Sequence, residues 1–562
     1  MFQFIPPRSK VEIHLPDERI IEGPRGAAVG DFLKIIESPA PIVGAVVNGE
    51  LRELTYPIQI EARVRPVTMA EADGMLIYRR SLTFLLDAAF EDTFPDAVLT
   101  VDHSVSAGGY FCQVSDPTLL TPENLTRIEK RMCELVDADL AFAKREVALP
   151  EAIAYFEAKG YQDKLNLLAH RQKDYLMLYR LGDHQDYHHG YMLPSTGYLR
   201  WFKLELTDGG FTLRFPRRHR PTEILPMPHY SKLLDTFRQY GAWLDRLGIA
   251  NIGTLDDTIQ SGSIREVILA SEALHEQHVA HIAGLIAAQA AARIILIAGP
   301  SSSGKTTFSK RLSIQLISRG ITPFPLEMDN YFIARNETPL DEYGKPDFES
   351  IRALDTRLMA HDLNRLIAGE QVRLPHYNFF TGERESGELV QLQPGQLIIL
   401  EGIHGLNPEL LPDFPAEQAY RIYVSCLTQL NLDRHNRIST TDTRLLRRIV
   451  RDARDRGYTA QSTIARWESV GRGEKRYIFP YQENADIMFN SALAYELAAL
   501  KPMAEPLLRQ VPHGSNEFIE AKRLLSLLEW FLPLESDLIP DNSILREFIG
   551  GSILKGFKLW RG

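Results

Sequence analysis

Residues 299–307 read Gly-Pro-Ser-Ser-Ser-Gly-Lys-Thr-Thr, a glycine-rich turn that ends in a lysine and two hydroxyls. This G-x-x-x-x-G-K-[ST] spacing lets backbone N–H groups converge on a phosphate. Gly299 and Gly304 free the backbone, Ser301, Ser302 and Ser303 bring amides to the turn, and Lys305 supplies a point charge. Thr306 offers a hydroxyl to Mg²⁺, which prefers oxygen ligands, and Thr307 should face the α-phosphate side. Before the turn, RIILIA reads as a strand; after it, KTTFSKRLSIQLIS reads as a helix whose positive dipole end meets the anion. The chemistry implied is the binding of a nucleoside triphosphate with Mg²⁺.

A second strand, TPFPLEMD, ends in Asp329, a carboxylate at the carboxyl edge of a sheet where ligands bind and where a base could take a hydroxyl proton. The chain has no N-K-x-D guanine-reading motif, which argues against a GTPase. From Arg293 onward strands and helices alternate, with strand candidates Ile294–Ala298, Leu397–Glu401, Arg421–Ser425 and Ile487–Asn490, so a parallel, doubly wound sheet is expected. Eight arginines fall between Arg434 and Arg456, with Asp452 and Asp455 interleaved as candidate helix partners.

The segments FESIRALD, LPHYNFFTGERE, LIILEGIHGL and DTRLLRRIVRDARDRGY follow in the order and at the spacing of the uridine kinase branch of the phosphoribulokinase/uridine kinase family, which the C-terminal region resembles. The resemblance implies a P-loop kinase with ATP (or GTP) as donor, Asp329 as general base and Glu401 holding Mg²⁺ together with Thr306. It places Arg451 at the transferring phosphoryl group, where guanidinium groups neutralise charge well. It puts Phe332, Glu349, Tyr377, Phe379, Arg384, Arg448 and Arg456 around the acceptor, best read as a nucleoside phosphorylated on its 5′-hydroxyl. Several base-reading positions depart from that family: its histidine falls on Gly382, a tyrosine on Phe332, a ribose-binding aspartate on Glu349 and an arginine on Tyr458. Changed hydrogen-bond partners change discrimination, so a sugar phosphate or another small alcohol stands as the alternative acceptor.

Residues 11–68 show short β-runs at Val11–Leu15, Ile42–Val47 and Ala62–Val67, a helical stretch near Asp31–Glu37, and an Asn48-Gly49 hairpin turn. This reads as a β-grasp module. From Gly74 a helical period begins, and mixed α and β signals run to about Leu225. VEIHLPDERI, VVNGEL, YRRSLTFLLDAAFEDTFPDAVL and YRLGDHQDYHHGYMLPSTG resemble the TGS and second additional domains of threonyl-tRNA synthetases. At the four positions of that family's editing site stand Arg80, Phe84, His188 and Met192, so the resemblance implies a retained fold without editing chemistry. His184, His188 and His189 lie in a polar stretch without a cysteine or a fourth ligand, and a surface loop is expected there. A tRNA- or RNA-binding regulatory role is the alternative of another class.

The 562 residues are too many for one core. The expected order is a TGS-like β-grasp domain (1–68), an editing-like α+β domain (69–225), a helical connector (226–292), a P-loop kinase domain (293–499) and a helical appendage (500–562). Three scattered cysteines exclude a disulfide framework, and a net charge of −10 argues against a surface devoted to nucleic acid. No run suits a membrane helix and the first residues lack a signal-peptide pattern, so a cytoplasmic location is expected; oligomeric state has no signal in the sequence.

Overall fold

The computed structural model describes residues 8–105, 108–227, 230–342, 344–378 and 380–557. The chain opens with a five-stranded sheet in the order Ile20–Pro24, Lys10–His14, Ala62–Thr68, Ile42–Val47, Glu50–Arg52. Asn48 and Gly49 both adopt positive φ (50° and 84°), the two-residue turn whose twist suits a hairpin. The short helix Val29–Leu33 buries Phe32 and Leu33 against Ile13, Ala45 and Val64.

Next comes the long helix Ala72–Thr93. Its start can press against the preceding strand because Gly74 has no side chain; a Cβ there would lie 2.1 Å from the Thr68 carbonyl oxygen. Around it stand a four-stranded antiparallel sheet (Leu99–Val105, Gly109–Val114, Lys203–Thr207, Gly210–Arg214) and a three-stranded one (Ala143–Ala148, Tyr175–Leu181, His184–Tyr187).

The C-terminal region is built on five parallel strands in the order Pro323–Glu327, Leu397–Glu401, Ile294–Ala298, Ala419–Ser425, Ile487–Asn490. Ile294–Ala298 is buried at every position, as a central strand covered on both faces must be. It is first in the chain yet third in the sheet, so consecutive connections leave in opposite directions at its carboxyl end and open a crevice there. Phe308, Leu312 and Leu316 of helix Lys305–Ile317 cover one face; Met359, Leu363 and Leu366 of helix Thr356–Ile367 cover the other.

Helices Ser231–Leu247, Ile252–Ser261 and Ile264–Ala288 occupy the stretch read as a connector, and they share the core of the parallel sheet. Arg311 reaches Glu276 at 2.9 Å and Glu272 at 3.4 Å, tying the long helix to the one that follows the glycine turn. Helix Glu496–Leu508 runs through position 500, and after helix Asn516–Leu528 the chain returns across the crevice as far as Phe557.

The two regions are joined by buried charge. Lys164 lies 2.8 Å from Asp186 and 3.3 Å from Asp433, while His435 bonds Asp186 at 2.7 Å and approaches Asp87 at 3.2 Å. Asp87 also meets His184 at 2.8 Å. Asp87, Asp186 and His435 are close enough to suggest a metal site, but an ammonium and two imidazoles already oppose the carboxylates. The surface-loop expectation for the histidines is corrected here: His184 is 7% exposed and His188 3%, because strand His184–Tyr187 folds under the long helix. Among the described residues no helix is long and apolar enough to cross a membrane.

Candidate functional site

The turn at 299–304 sits at the carboxyl end of the central strand. Gly299 is obligatory, since a Cβ there would fall 1.9 Å from the Val424 carbonyl oxygen. Ser302 (φ 59°) and Gly304 (φ 83°) take the left-handed region, turning the backbone into helix Lys305–Ile317. Ser302 and Ser303 are buried, and their hydroxyls have no hydrogen-bond partner among the described residues. Orphaned donors in a turn of this geometry suit an anion.

Helix Thr440–Arg456 holds the turn from below. Arg444 donates to the Ser301 carbonyl at 3.2 Å and forks onto Glu474; Arg447 donates to the Ser302 carbonyl at 3.4 Å and to Glu496 at 2.6 Å. Arg448 reaches the Ser301 hydroxyl at 2.9 Å. Positions 444, 447, 448 and 451 lie on one helix face, so the i, i+3, i+4, i+7 spacing signals a common target. Arg444 and Arg447 are not among the expected site residues, although both lie in the segment DTRLLRRIVRDARDRGY that carries the resemblance.

Lys305, Asp329 and Glu401 converge. Glu401 is the last residue of its strand, and its carboxylate accepts a 2.8 Å hydrogen bond from the Thr306 hydroxyl. Asp329 lies in the 3-10 turn Met328–Tyr331 that follows the neighbouring strand. Gly402 permits this approach, since a Cβ would meet Met328 Sδ at 2.4 Å. Lys305 donates to the Pro300 carbonyl at 3.1 Å and feels the charges of Glu401, Glu547, Glu474 and Asp329, while burial lowers its pKa.

Asp329 opens to the crevice, yet protein crowds it on most sides. That burial, with Glu327 adding repulsion, pushes its carboxyl up to about 6 against the pull of Lys305 and Arg456. Glu401 is pushed up to about 7, chiefly by burial and then by Glu547 and Glu327, with Lys305 and the Thr306 hydroxyl opposing. Thr306 and Glu401 thus present paired oxygens at the sheet edge, a donor set that fits Mg²⁺.

Two carboxylates already occupy amides of the turn. Glu474 accepts from the Ser301 N–H at 3.0 Å. Glu547, in the returning C-terminal segment, accepts from both the Thr307 N–H (3.1 Å) and the Thr307 hydroxyl (2.9 Å). Ile544 leans on Gly304, and Lys310 donates to the Leu554 carbonyl at 2.9 Å, so the segment lies along the start of the helix. Glu547 carries no local sequence signal.

The expected acceptor residues are distributed less tightly. The rings of Phe332 and Tyr377 are 5.4 Å apart, and Tyr377 is buried. Glu349 packs beside Gly473, and burial followed by repulsion from Glu474 pushes its carboxyl up to about 7. Arg384 pairs with Asp355 at 2.9 Å. Arg448, Arg451 and Arg456 gather on the buried Asp452 at 3.2, 3.0 and 3.3 Å. Phe379 lies outside the described residues.

In the N-terminal half the Arg80 guanidinium donates to the Tyr191 carbonyl, and Phe84 and Met192 are fully buried. Phe84 packs against His184 and His188, each at 5.1 Å between ring centres.

The sequence model of the Phosphoribulokinase / Uridine kinase family matches residues 294–497. The N-terminal region is 33% identical over 207 residues to the threonine–tRNA ligase of Geobacter sp. (strain M21), covering 36% of this chain and 32% of that protein. The ligase of Laribacter hongkongensis (strain HLHK9) is 34% identical over 203 residues, again 32% of its length. The chain thus spans about a third of the curated relatives it matches. Among solved structures it is similar to a possible uridine kinase from Bacillus stearothermophilus (20% identity, 35% of this chain and 89% of that one, TM-score 0.25). A D-glycerate 3-kinase from Cryptococcus neoformans is similar too (13% identity, 37% and 90%, TM-score 0.28). Residues 294–497 thus match the phosphoribulokinase/uridine kinase family, behind an N-terminal region similar to about a third of the length of threonine–tRNA ligases.

Proposed function

We propose that the chain transfers the γ-phosphoryl group of ATP to the 5′-hydroxyl of a nucleoside. The observation that carries this reading is the convergence of Lys305, Asp329 and the Thr306–Glu401 pair beside a turn with orphaned donors. Amides of residues 302–306 and the Lys305 ammonium bind and orient the phosphates. Thr306 and Glu401 would hold Mg²⁺, which when bound supplies neutralisation of phosphate oxygens. Asp329, ionised above about pH 6, receives the acceptor hydroxyl proton. Arg448, Arg451 and Arg456, gathered on Asp452, stand ready to reach transferring oxygens. Phe332 and Tyr377 offer the aromatic wall that favours a ring-bearing acceptor. Asp329→Asn should lower kcat by roughly 10²–10⁴ while nucleotide still binds. Wild-type turnover in that variant removes Asp329 from the base role.

The likeness to threonine–tRNA ligases supports a second reading, in which the N-terminal half binds RNA. A tRNA mobility shift at two salt concentrations tests it; binding without salt dependence, or none, dismisses it.

A further inference from the structure

A cavity of about 350 Å³ lies between the N-terminal half and the C-terminal helix Asn516–Leu528. None of residues 299–307, nor Asp329 or Glu401, lines it. Its volume falls within the usual range for small-molecule sites. One wall is the face of helix Ala72–Thr93 carrying Asp73, Leu76, Ile77 and Arg80; a second is strand Tyr175–Leu181; aromatic rings, Trp530 among them, close the rest.

Not every cation of this cavity has a carboxylate partner. Lys173 pairs with Glu529, Lys522 with Glu50, Lys144 with Glu53, and Arg523 with Asp442 and Glu520. Arg80 and Arg171 pair with no carboxylate among the described residues. Arg80 donates to the Tyr191 carbonyl, and Arg171 to the Tyr175 carbonyl at 3.1 Å while lying 4.3 Å over the Trp530 ring. Gly190 (φ 113°) makes room for the first of these: a Cβ there would meet the Arg80 guanidinium at 2.5 Å. Both arginines are half-buried, and a guanidinium partly withdrawn from water is costly without an anion, since carbonyl contacts leave its charge uncompensated. The neighbouring His189 reports the same field, for burial and then Arg80, Arg523, Arg171 and Lys173 push its pKa down to about 3.

We propose that this cavity binds a compact, ring-bearing phosphate ester, its anionic end held by Arg80 and Arg171 and its ring set among the tyrosines and Trp530. Guanidinium groups match phosphate oxygens in a planar fork, and aromatic walls with an apolar helix face suit a flat ring. Asp73 lies seven positions before Arg80, about 10 Å along the helix, and offers an acceptor to a hydroxyl or amine at the far end of the ligand. This separation suits a molecule the size of a nucleoside monophosphate, and the wall supplied by the C-terminal helix means that both regions of the chain complete the site.

The test is titration calorimetry on the full chain carrying Lys305→Ala, so that the glycine turn contributes little phosphate affinity. The probes are inorganic phosphate, pyrophosphate, uridine monophosphate, adenosine monophosphate and uridine. Uridine, whose place on the proposed reading is the acceptor pocket beside Asp329, should bind independently of Arg80 and Arg171, whereas the monophosphates should bind more tightly than inorganic phosphate at a site that these two arginines line. Arg80→Met and Arg171→Gln should each weaken it at least tenfold; Arg171, nearer the surface, gives the reading should the Arg80 variant fail to fold. Absence of binding by every phosphate probe overturns the proposal, as does binding that both arginine substitutions leave unchanged. Neither result bears on phosphoryl transfer, which is read in the Lys305 protein.

Discussion

Replacing Glu547 with alanine should tighten nucleotide binding. Its carboxylate accepts two hydrogen bonds from Thr307, at 3.1 and 2.9 Å, on the donors an α-phosphate would use. A nucleotide must break them. Hydrogen bonds to a charged group each contribute ~1.5–3 kcal/mol net. The phosphate regains similar bonds, so the cost that remains is moving the carboxylate and holding it near a second anion. At an effective dielectric of about 20, two unit charges some 5–8 Å apart repel by roughly 2–3 kcal/mol. Screening and side-chain rotation trim this to about 1.4–2.8 kcal/mol, a factor of roughly 10–100 in Kd. The helix itself need not leave, because Phe548 is buried beneath Arg447 and Arg454 donates to the Phe548 carbonyl. Calorimetry with a non-hydrolysable ATP analogue and Mg²⁺ on wild type, Glu547→Gln and Glu547→Ala measures the effect. Affinity should rise in that order. Equal or weaker binding by Glu547→Ala refutes the reasoning, since the carboxylate then neither blocks nor repels the phosphates.

The pH dependence of turnover follows from Asp329. With its carboxyl pushed up to about 6, kcat/KM should fall on the acid side with an apparent pKa near 6; a flat profile down to pH 5 contradicts the base assignment. Stability should respond to His184, whose imidazolium the Asp87 carboxylate favours most, lifting its pKa to about 10 despite burial. Its folded value exceeds the unfolded one, about 6.5, so this contribution is full below pH 6.5 and is lost as pH rises through 10. Urea midpoints should decline over that window in wild type and decline less in His184→Gln; parallel declines would falsify the assignment.

The site was legible where chemistry is written in consecutive residues. Gly299 to Thr307 announced their own turn, and the apolar runs Ile294–Ala298, Leu397–Glu401 and Ile487–Asn490 gave strands at those bounds. The Asn48-Gly49 hairpin was equally local. What stayed hidden was tertiary. Glu547 reaches Thr307 across 240 positions of sequence, and nothing near either residue marks the contact. His184 and His188 stand among polar neighbours and read as surface, yet the helix bearing Asp87 and Glu91 covers them and turns their polarity into a buried ion network. The connector read at 226–292 shows the same limit, since helical period does not say which core the helices join.

The central claim is tested most directly by incubating the protein with Mg²⁺, γ-labelled ATP and a panel of nucleosides and sugar phosphates, and following label into product. Transfer to the 5′ position of at least one nucleoside, absent in Lys305→Ala, is the expected result. Transfer to no nucleoside in the panel, or transfer that survives Lys305→Ala, contradicts it.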